Sequence, residues 1–210
     1  MSVENRRPIA SRESPWAQRI TQWLIDKHQT PNSISVWSMV FAAIGAAVLL
    51  LAQGAAWSWL LFALSIQLRL LCNLFDGMVA IGSDQASSIG ALYNEVPDRV
   101  SDSIFFISAA YAIGLPTLGW LCALFAALTA YIRVLGGSLN LPQLFIGPLA
   151  KQQRMAVLTL ASVISIWEVH QHQSFYAISI ALIVIGIGSL YTCYRRLQHI
   201  AKQLHQQHHV

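Results

Sequence analysis

Five of the chain's nine acidic residues, Asp76, Asp84, Glu95, Asp98 and Asp102, fall in one stretch, LCNLFDGMVAIGSDQASSIGALYNEVPDRVSD (71–102), between almost wholly apolar segments. Asn73 and Asp76 are three apart and share a helical face. Gly90, Asn94, Asp98 and Asp102 recur every four residues, a spacing that drifts only about 40° per step on a helix of 3.6 residues per turn. Two helices facing each other through these surfaces would collect oxygen ligands in one pocket. Such donors suit a hard divalent cation, Mg²⁺ or Mn²⁺ above all, and a cation would offset the cost of burying carboxylates. Gly77 and Gly90 leave room for a ligand to approach the backbone, and Pro97 frees the Tyr93 carbonyl and bends its helix near the site. A set of buried ion pairs, with Arg69 and Arg99 neutralising Asp98 and Asp102, is the competing account of the same charges.

The elements that carry this chemistry are those of a membrane protein. Of the 210 residues 55% are hydrophobic and 10% charged, with a mean hydropathy of +0.52, whereas soluble domains carry roughly a quarter charged residues. Residues 28–68, 103–132 and 169–194 contain no Asp, Glu, Lys or Arg, and about 20 mostly apolar residues suffice to cross a bilayer. The expected fold is all-α: six transmembrane helices near 33–53, 57–79, 89–113, 118–134, 154–167 and 174–194, preceded by an interfacial amphipathic helix. That helix starts at Ser14-Pro15, an N-cap followed by proline at the first helical position. Trp16, Ile20, Trp23 and Leu24 share one side of it and Arg19, Gln22 and Asp26 the other, which suits either the membrane surface or another protein face. The expected organisation is thus a cytoplasmic N-terminus at 1–32, a membrane domain at 33–194 and a basic, His-containing cytoplasmic tail at 195–210.

Lys and Arg concentrate in the N-terminus, the 134–154 loop and the tail, so the positive-inside rule places both termini and the acidic cluster on the cytoplasmic side. Residues 1–27 hold five basic residues and no apolar core of a signal peptide; with the short loops, this suggests a bacterial inner membrane. The net charge of +4 reads as contact with anionic lipid rather than nucleic acid. Cys72, Cys122 and Cys193 read as apolar fillers, and the histidines of the 168–173 turn and the tail as solvated or interfacial groups.

In this register the acidic cluster resembles the CDP-alcohol phosphotransferases, whose pattern D-x2-D-G-x2-A-R-x8-9-G-x3-D-x3-D is met here by Asn73, Asp76, Gly77, Ala80, Ile81, Gly90, Asn94 and Asp98. TPNSIS (30–35), YIRVLGG and GPLAKQQR fit as well, so the resemblance covers nearly the whole chain. It implies transfer of a phosphatidyl group from a CDP-linked donor such as CDP-diacylglycerol to a small alcohol, with release of CMP, in phospholipid biosynthesis. It further implies a homodimer, a metal held at Asn73, Asp76, Asn94 and Asp98, Asp98 as the base that deprotonates the acceptor, and Gly77, Ala80 and Gly90 at the cytidine. The sequence departs from the pattern where Asn73 and Asn94 replace aspartates and Ile81 replaces arginine. Glu95 and Asp102 are candidate auxiliary carboxylates.

Arg133, Lys151 and Arg154 bracket a Gly/Pro-rich loop. They are expected either to hold the phosphate of an acceptor such as glycerol 3-phosphate or inositol phosphate, or to contact lipid headgroups. The replacements also leave open a catalytically silent CDP-lipid-binding relative or a subunit of a membrane complex. A transporter is disfavoured by the lack of an evident internal repeat.

Overall fold

Helix boundaries in a computed structural model of the protein fall where the sequence is punctuated. The structure describes residues 12, 14–83, 89–142, 146–172 and 174–208, so residues 1–11 and 13 of the expected N-terminal segment, Asp84 with the rest of 84–88, and His209 lie outside it. Seven helices follow in order: α1 (Pro15–Asp26), α2 (Pro31–Leu51), α3 (Ala56–Gly82), α4 (Gly90–Ala112), α5 (Pro116–Ser138), α6 (Lys151–His172) and α7 (Tyr176–His208). Prolines open α1, α2 and α5 at the first turn, where a missing N–H costs no helical hydrogen bond. The Thr30 side chain caps α2 by accepting from the Ser33 N–H at 3.2 Å, as its Thr-Pro-Asn sequence anticipates.

The six long helices close a ring in the order α2, α3, α6, α7, α5, α4 and back to α2, each packed on two neighbours, with α1 docked outside on α3. Close packing relies on small residues where helices cross. Gly45 of α2 faces the Ser65 hydroxyl of α3 so tightly that a Cβ would collide with it. Gly147, at φ +111° in the loop before α6, lies against Thr192 of α7 in a conformation that other residues rarely adopt.

Four helices, α2, α3, α5 and α7, are long and apolar enough to cross a membrane. The other two, α4 and α6, are comparable in length at 23 and 22 residues but carry the charges of the candidate site. Their outward sides are nevertheless apolar: Leu92, Val96 and Val100 on α4, and Leu160, Val163, Ile164 and Trp167 on α6, are exposed. The middle and far end of the ring are filled by Leu49, Trp59, Phe62, Ile66, Phe105, Phe106, Leu158 and Leu182, with Phe62 and Phe105 edge to face at 5.4 Å.

Two details extend the expectation. Helix α7 runs on through His208, with Arg196 and Ile200 buried, so residues 195–208 continue the last helix. Helix α1 buries Ala17 and Thr21 against the protein, on Leu74, Phe75 and Val79 of α3. Trp16 rests edge to face on Phe75 with ring centroids 6.2 Å apart, and Leu24 packs at the margin of the same cluster, while Ile20 and Trp23 stay exposed.

Candidate active site

The near end of the ring gathers the N-terminal parts of α2, α4 and α6 and the C-terminal parts of α3, α5 and α7. Here the ion pairs among the described residues form one network, in which Glu95, Asp98 and Asp102 meet Arg69, Arg99, Arg133, Lys151 and Arg154. Its buried part is a chain across three helices. Arg69 Nη2 of α3 donates to Asp98 Oδ1 at 3.2 Å and Asp102 Oδ1 at 2.6 Å on α4, and Arg154 Nη2 of α6 donates to Asp102 Oδ2 at 3.3 Å. Arg69, Asp102 and Arg154 are at most 1% exposed. Such a triad holds its helices in register, because removing one member leaves an uncompensated charge in the interior.

Two residues expected at the ligand lie in this buried chain. Asp102, a candidate auxiliary carboxylate, is spent between Arg69 and Arg154. Arg154, expected at an acceptor phosphate, also donates to Thr129 Oγ1 at 3.2 Å and to the Leu149 carbonyl at 3.2 Å, with 1% exposure. The ion-pair account thus describes the deep half of the cluster and reaches Glu95 and Asp98 in the outer half, but it does not include Asp76.

In the outer half Asp76 and Asp98 are 7% and 5% exposed, on α3 and α4 respectively. Asp76 Oδ2 accepts from the Ser35 hydroxyl of α2 at 2.7 Å and takes part in no ion pair among the described residues, although Lys151 and Asp98 lie within its electrostatic reach. Asp98 is ringed by cations: Arg69, Arg99 at 3.6 Å and Lys151, whose ammonium bonds to Asp98 Oδ2. The same ammonium donates to Asn73 Oδ1 at 2.7 Å. Lys151 thus comes from α6 into the carboxylate pocket, away from the acceptor position expected for it. Arg133 of α5 bonds to Glu95, which also pairs with Arg99 one turn on at 3.5 Å. Asn94 is exposed one turn before Asp98, and Gly77, Ala80 and Gly90 are half-buried.

Ser35 was not anticipated; TPNSIS marked the start of a helix, not a ligand to Asp76. Arg69 was seen only as a counter-charge, and its buried Nε and Nη1 have no hydrogen-bond partner among the described residues. The site therefore carries a surplus of donors, which favours an anion.

The residues at this end fit one hard divalent cation. Among the described residues no three His, Cys, Asp or Glu side chains are grouped to hold a metal on their own. Asp76, however, is a buried carboxylate outside every ion pair among the described residues, reached by the Lys151 charge only through space, and such a group is costly unless a cation meets it. One or two carboxylates completed by substrate phosphates are an ordinary Mg²⁺ site.

The fold is shared with solved structures of a membrane synthase. It matches the phosphatidylinositol phosphate synthase (PgsA1) of Mycobacterium tuberculosis with CDP-DAG bound, at a TM-score of 0.73 and 17% identity over 89% of this chain and 94% of that one. The same synthase in complex with manganese and citrate matches at 0.75, with 18% identity over 88% of each chain. The fold thus bears out the resemblance to the CDP-alcohol phosphotransferases found in the sequence. In sequence the chain is similar to the inner membrane protein YnbA of Escherichia coli (strain K12), 26% identical over 142 residues, 66% of this chain and 69% of that protein. No family model matches.

Proposed function

We propose that the protein is a divalent-metal-dependent CDP-alcohol phosphatidyltransferase that moves a phosphatidyl group from CDP-diacylglycerol to a small alcohol and releases CMP. One observation carries this reading: Asp76 and Asp98, set on facing helices by the Asp-Gly register, are the outward carboxylates of a fold shared with a synthase that binds CDP-DAG. In the reaction the acceptor oxygen forms a bond to the phosphorus attached to the lipid. The phosphorus–oxygen bond to CMP breaks, and the hydroxyl proton passes to Asp98 Oδ2, the oxygen now held by Lys151. A divalent ion held by Asp76 and completed by the substrate's own phosphates would neutralise the diphosphate and favour departure of CMP.

The half-buried Gly77, Ala80 and Gly90 line the approach for cytidine. Arg133, with Arg99 beside it, is the basic residue best placed for a phosphate on the acceptor, since Arg154 is buried and Lys151 faces Asp98. All six helices of the ring cross the bilayer, because α4 and α6 turn their charges inward and apolar residues outward. The basic end, with both termini, faces the cytoplasm of a bacterial inner membrane, and α1 rests in the headgroup region with Trp23 toward lipid. A homodimer follows from family analogy.

The test is CMP release from CDP-diacylglycerol by the purified protein with pooled acceptors, in Mg²⁺, in Mn²⁺ and in EDTA. The expected outcome is CMP that requires both metal and one acceptor, which identifies the product. A second reading, a silent relative that binds CDP-lipid, is favoured by the ammonium seated on Asp98. CDP binding without CMP release from any acceptor would establish it instead.

A further inference from the structure

We propose that Lys151 is the second cation of the donor site: its ammonium stands in for a divalent ion between Asn73 and Asp98, and the chain binds a single metal ion, at Asp76. The inference rests on the transferase reading above and concerns how the donor's diphosphate is neutralised.

Three observations converge on it. The Lys151 ammonium bridges Asn73 Oδ1, at 2.7 Å, and Asp98 Oδ2, two positions where the family pattern would place carboxylates around metal. With asparagine at 73 that half of the pocket holds one formal negative charge, and Arg69 and Arg99 already lie against it. A dication there would add to three cations around one carboxylate, which the low dielectric of a buried site strongly disfavours. Asp76 is the complement: buried, bonded to the neutral Ser35 hydroxyl, and outside every ion pair among the described residues. The acidic pocket is thus divided into a half filled by the protein's own cation and a half that still lacks one.

The division also accounts for the asparagine at 73. An aspartate there would bind Lys151 as an ion pair and hold it. The amide holds it through a neutral hydrogen bond and lets it follow a more strongly anionic ligand. An ammonium has three N–H donors, two of them engaged by Asn73 and Asp98. The third is left for a phosphate oxygen, and Lys is an established point-charge ligand for phosphate. As the diphosphate draws the ammonium off Asp98, Oδ2 becomes available for the acceptor's proton, so arrival of the donor readies the base.

The experiment counts Mn²⁺ on the purified full-length chain in lipid nanodiscs, from the EPR signal of free Mn²⁺, with and without saturating CDP. One bound Mn²⁺ per chain in the presence of CDP is expected; two, or none, overturns the proposal. Lys151→Gln, checked for folding by its melting curve, should bind Mn²⁺ several-fold more tightly without nucleotide, because the competing ammonium is gone. It should also bind CDP about tenfold to a hundredfold more weakly, as for loss of a hydrogen bond to a charged group. A purely structural lysine would weaken both, and unchanged CDP affinity would overturn the role. If the variant fails to fold, the wild-type count decides alone. Failure of the wild type to bind CDP at all removes the transferase reading along with the proposal, whereas CDP bound with two Mn²⁺ removes only the proposal.

Discussion

The two ends of the helix ring are built from the same helices by opposite means. At the far end and through the middle, α3, α4 and α6 meet through Trp59, Phe62, Phe105, Phe106 and Leu158, where affinity is non-directional and a similar shape would serve. At the near end the same three helices meet through Arg69, Asp98, Asp102 and Arg154, where directional ion pairs between named atoms make the contact. A bilayer supplies no water to satisfy an unpaired group, so the near end tolerates little change in residue type. That requirement fixes where Asp76, Asp98 and Lys151 stand, and a pocket for a diphosphate needs such fixity. The apolar end gives the ring its body, and the polar end gives it a register.

The comparison is broken most severely at Asp98. Asp98→Asn keeps the side chain's shape but removes the proton acceptor, and CMP release per folded molecule should fall by about 10²–10⁴-fold, the usual contribution of a general base. The melting temperature should fall as well, because Arg69, Arg99 and Lys151 lose a buried counter-charge. Full turnover in this variant would remove Asp98 from the role of base.

One step smaller are the residues that hold each end together. Asp102→Asn strands Arg69 and Arg154 and should cost about 3–5 kcal/mol, as breaking a buried pair does. Phe62→Ala at the apolar end should cost a similar ~3–5 kcal/mol through its cavity. Double substitution separates the two ends. Loss at Asp102 should be partly recovered when Arg69 is also made Met, because Arg154 is then the one cation of the pair left without its carboxylate, while no single apolar partner change should rescue Phe62→Ala. Thermal unfolding in detergent measures all of these, and equal rescue at both ends would mean that the polar end is no more specific than the apolar one.

Much of this contrast was legible in the sequence, but unevenly. Charge-free runs mark the helices to within a few residues, and the four-residue spacing of Gly90, Asn94, Asp98 and Asp102 puts the acids on one side of α4. Periodicity does not say which side of a neighbouring helix they meet. Arg154 and Asp102 are 52 residues apart, and Lys151 and Asp98 are 53. Both pairings depend on how the loop before α6 returns the chain, and that loop carries no periodic signal. Ser35 is 41 residues from Asp76 and looks in sequence like one more small residue of a helix crossing. For helix α1 the sequence defines an apolar side but not the line of contact with α3, which runs through Ala17 and Thr21 with Trp16 at its edge. The end of α7 was not legible, because a change to polar composition ends an apolar run, not a helix.

Smaller effects sharpen the boundary between the ends. Gly45→Val forces a branched side chain into the Ser65 hydroxyl across the α2–α3 crossing and should cost about 1–3 kcal/mol, the usual price of overpacking. Because that crossing lies away from the ion-pair network, kcat in the folded fraction should hold while the melting temperature falls. A loss of kcat without loss of stability would show that the crossing transmits strain to Asp76.

The smallest effect belongs to Ser35, and it bears on the carboxylate that no cation holds. Its hydroxyl donates to Asp76 Oδ2 at 2.7 Å and fixes the direction of the carboxylate without contributing charge. Ser35→Ala removes this one bond, worth about 1 kcal/mol net, and leaves the remainder of the near end in place. The apparent Mn²⁺ affinity during CMP release should weaken by up to about fivefold, since ~1.4 kcal/mol corresponds to tenfold, while kcat at saturating metal stays close to wild type. That split between affinity and turnover is what a positioning residue predicts. A fall in kcat approaching that of Asp98→Asn would instead place the Ser35 hydroxyl in the proton path, and the division of the pocket between Asp76 for metal and Asp98 for the proton would have to be redrawn.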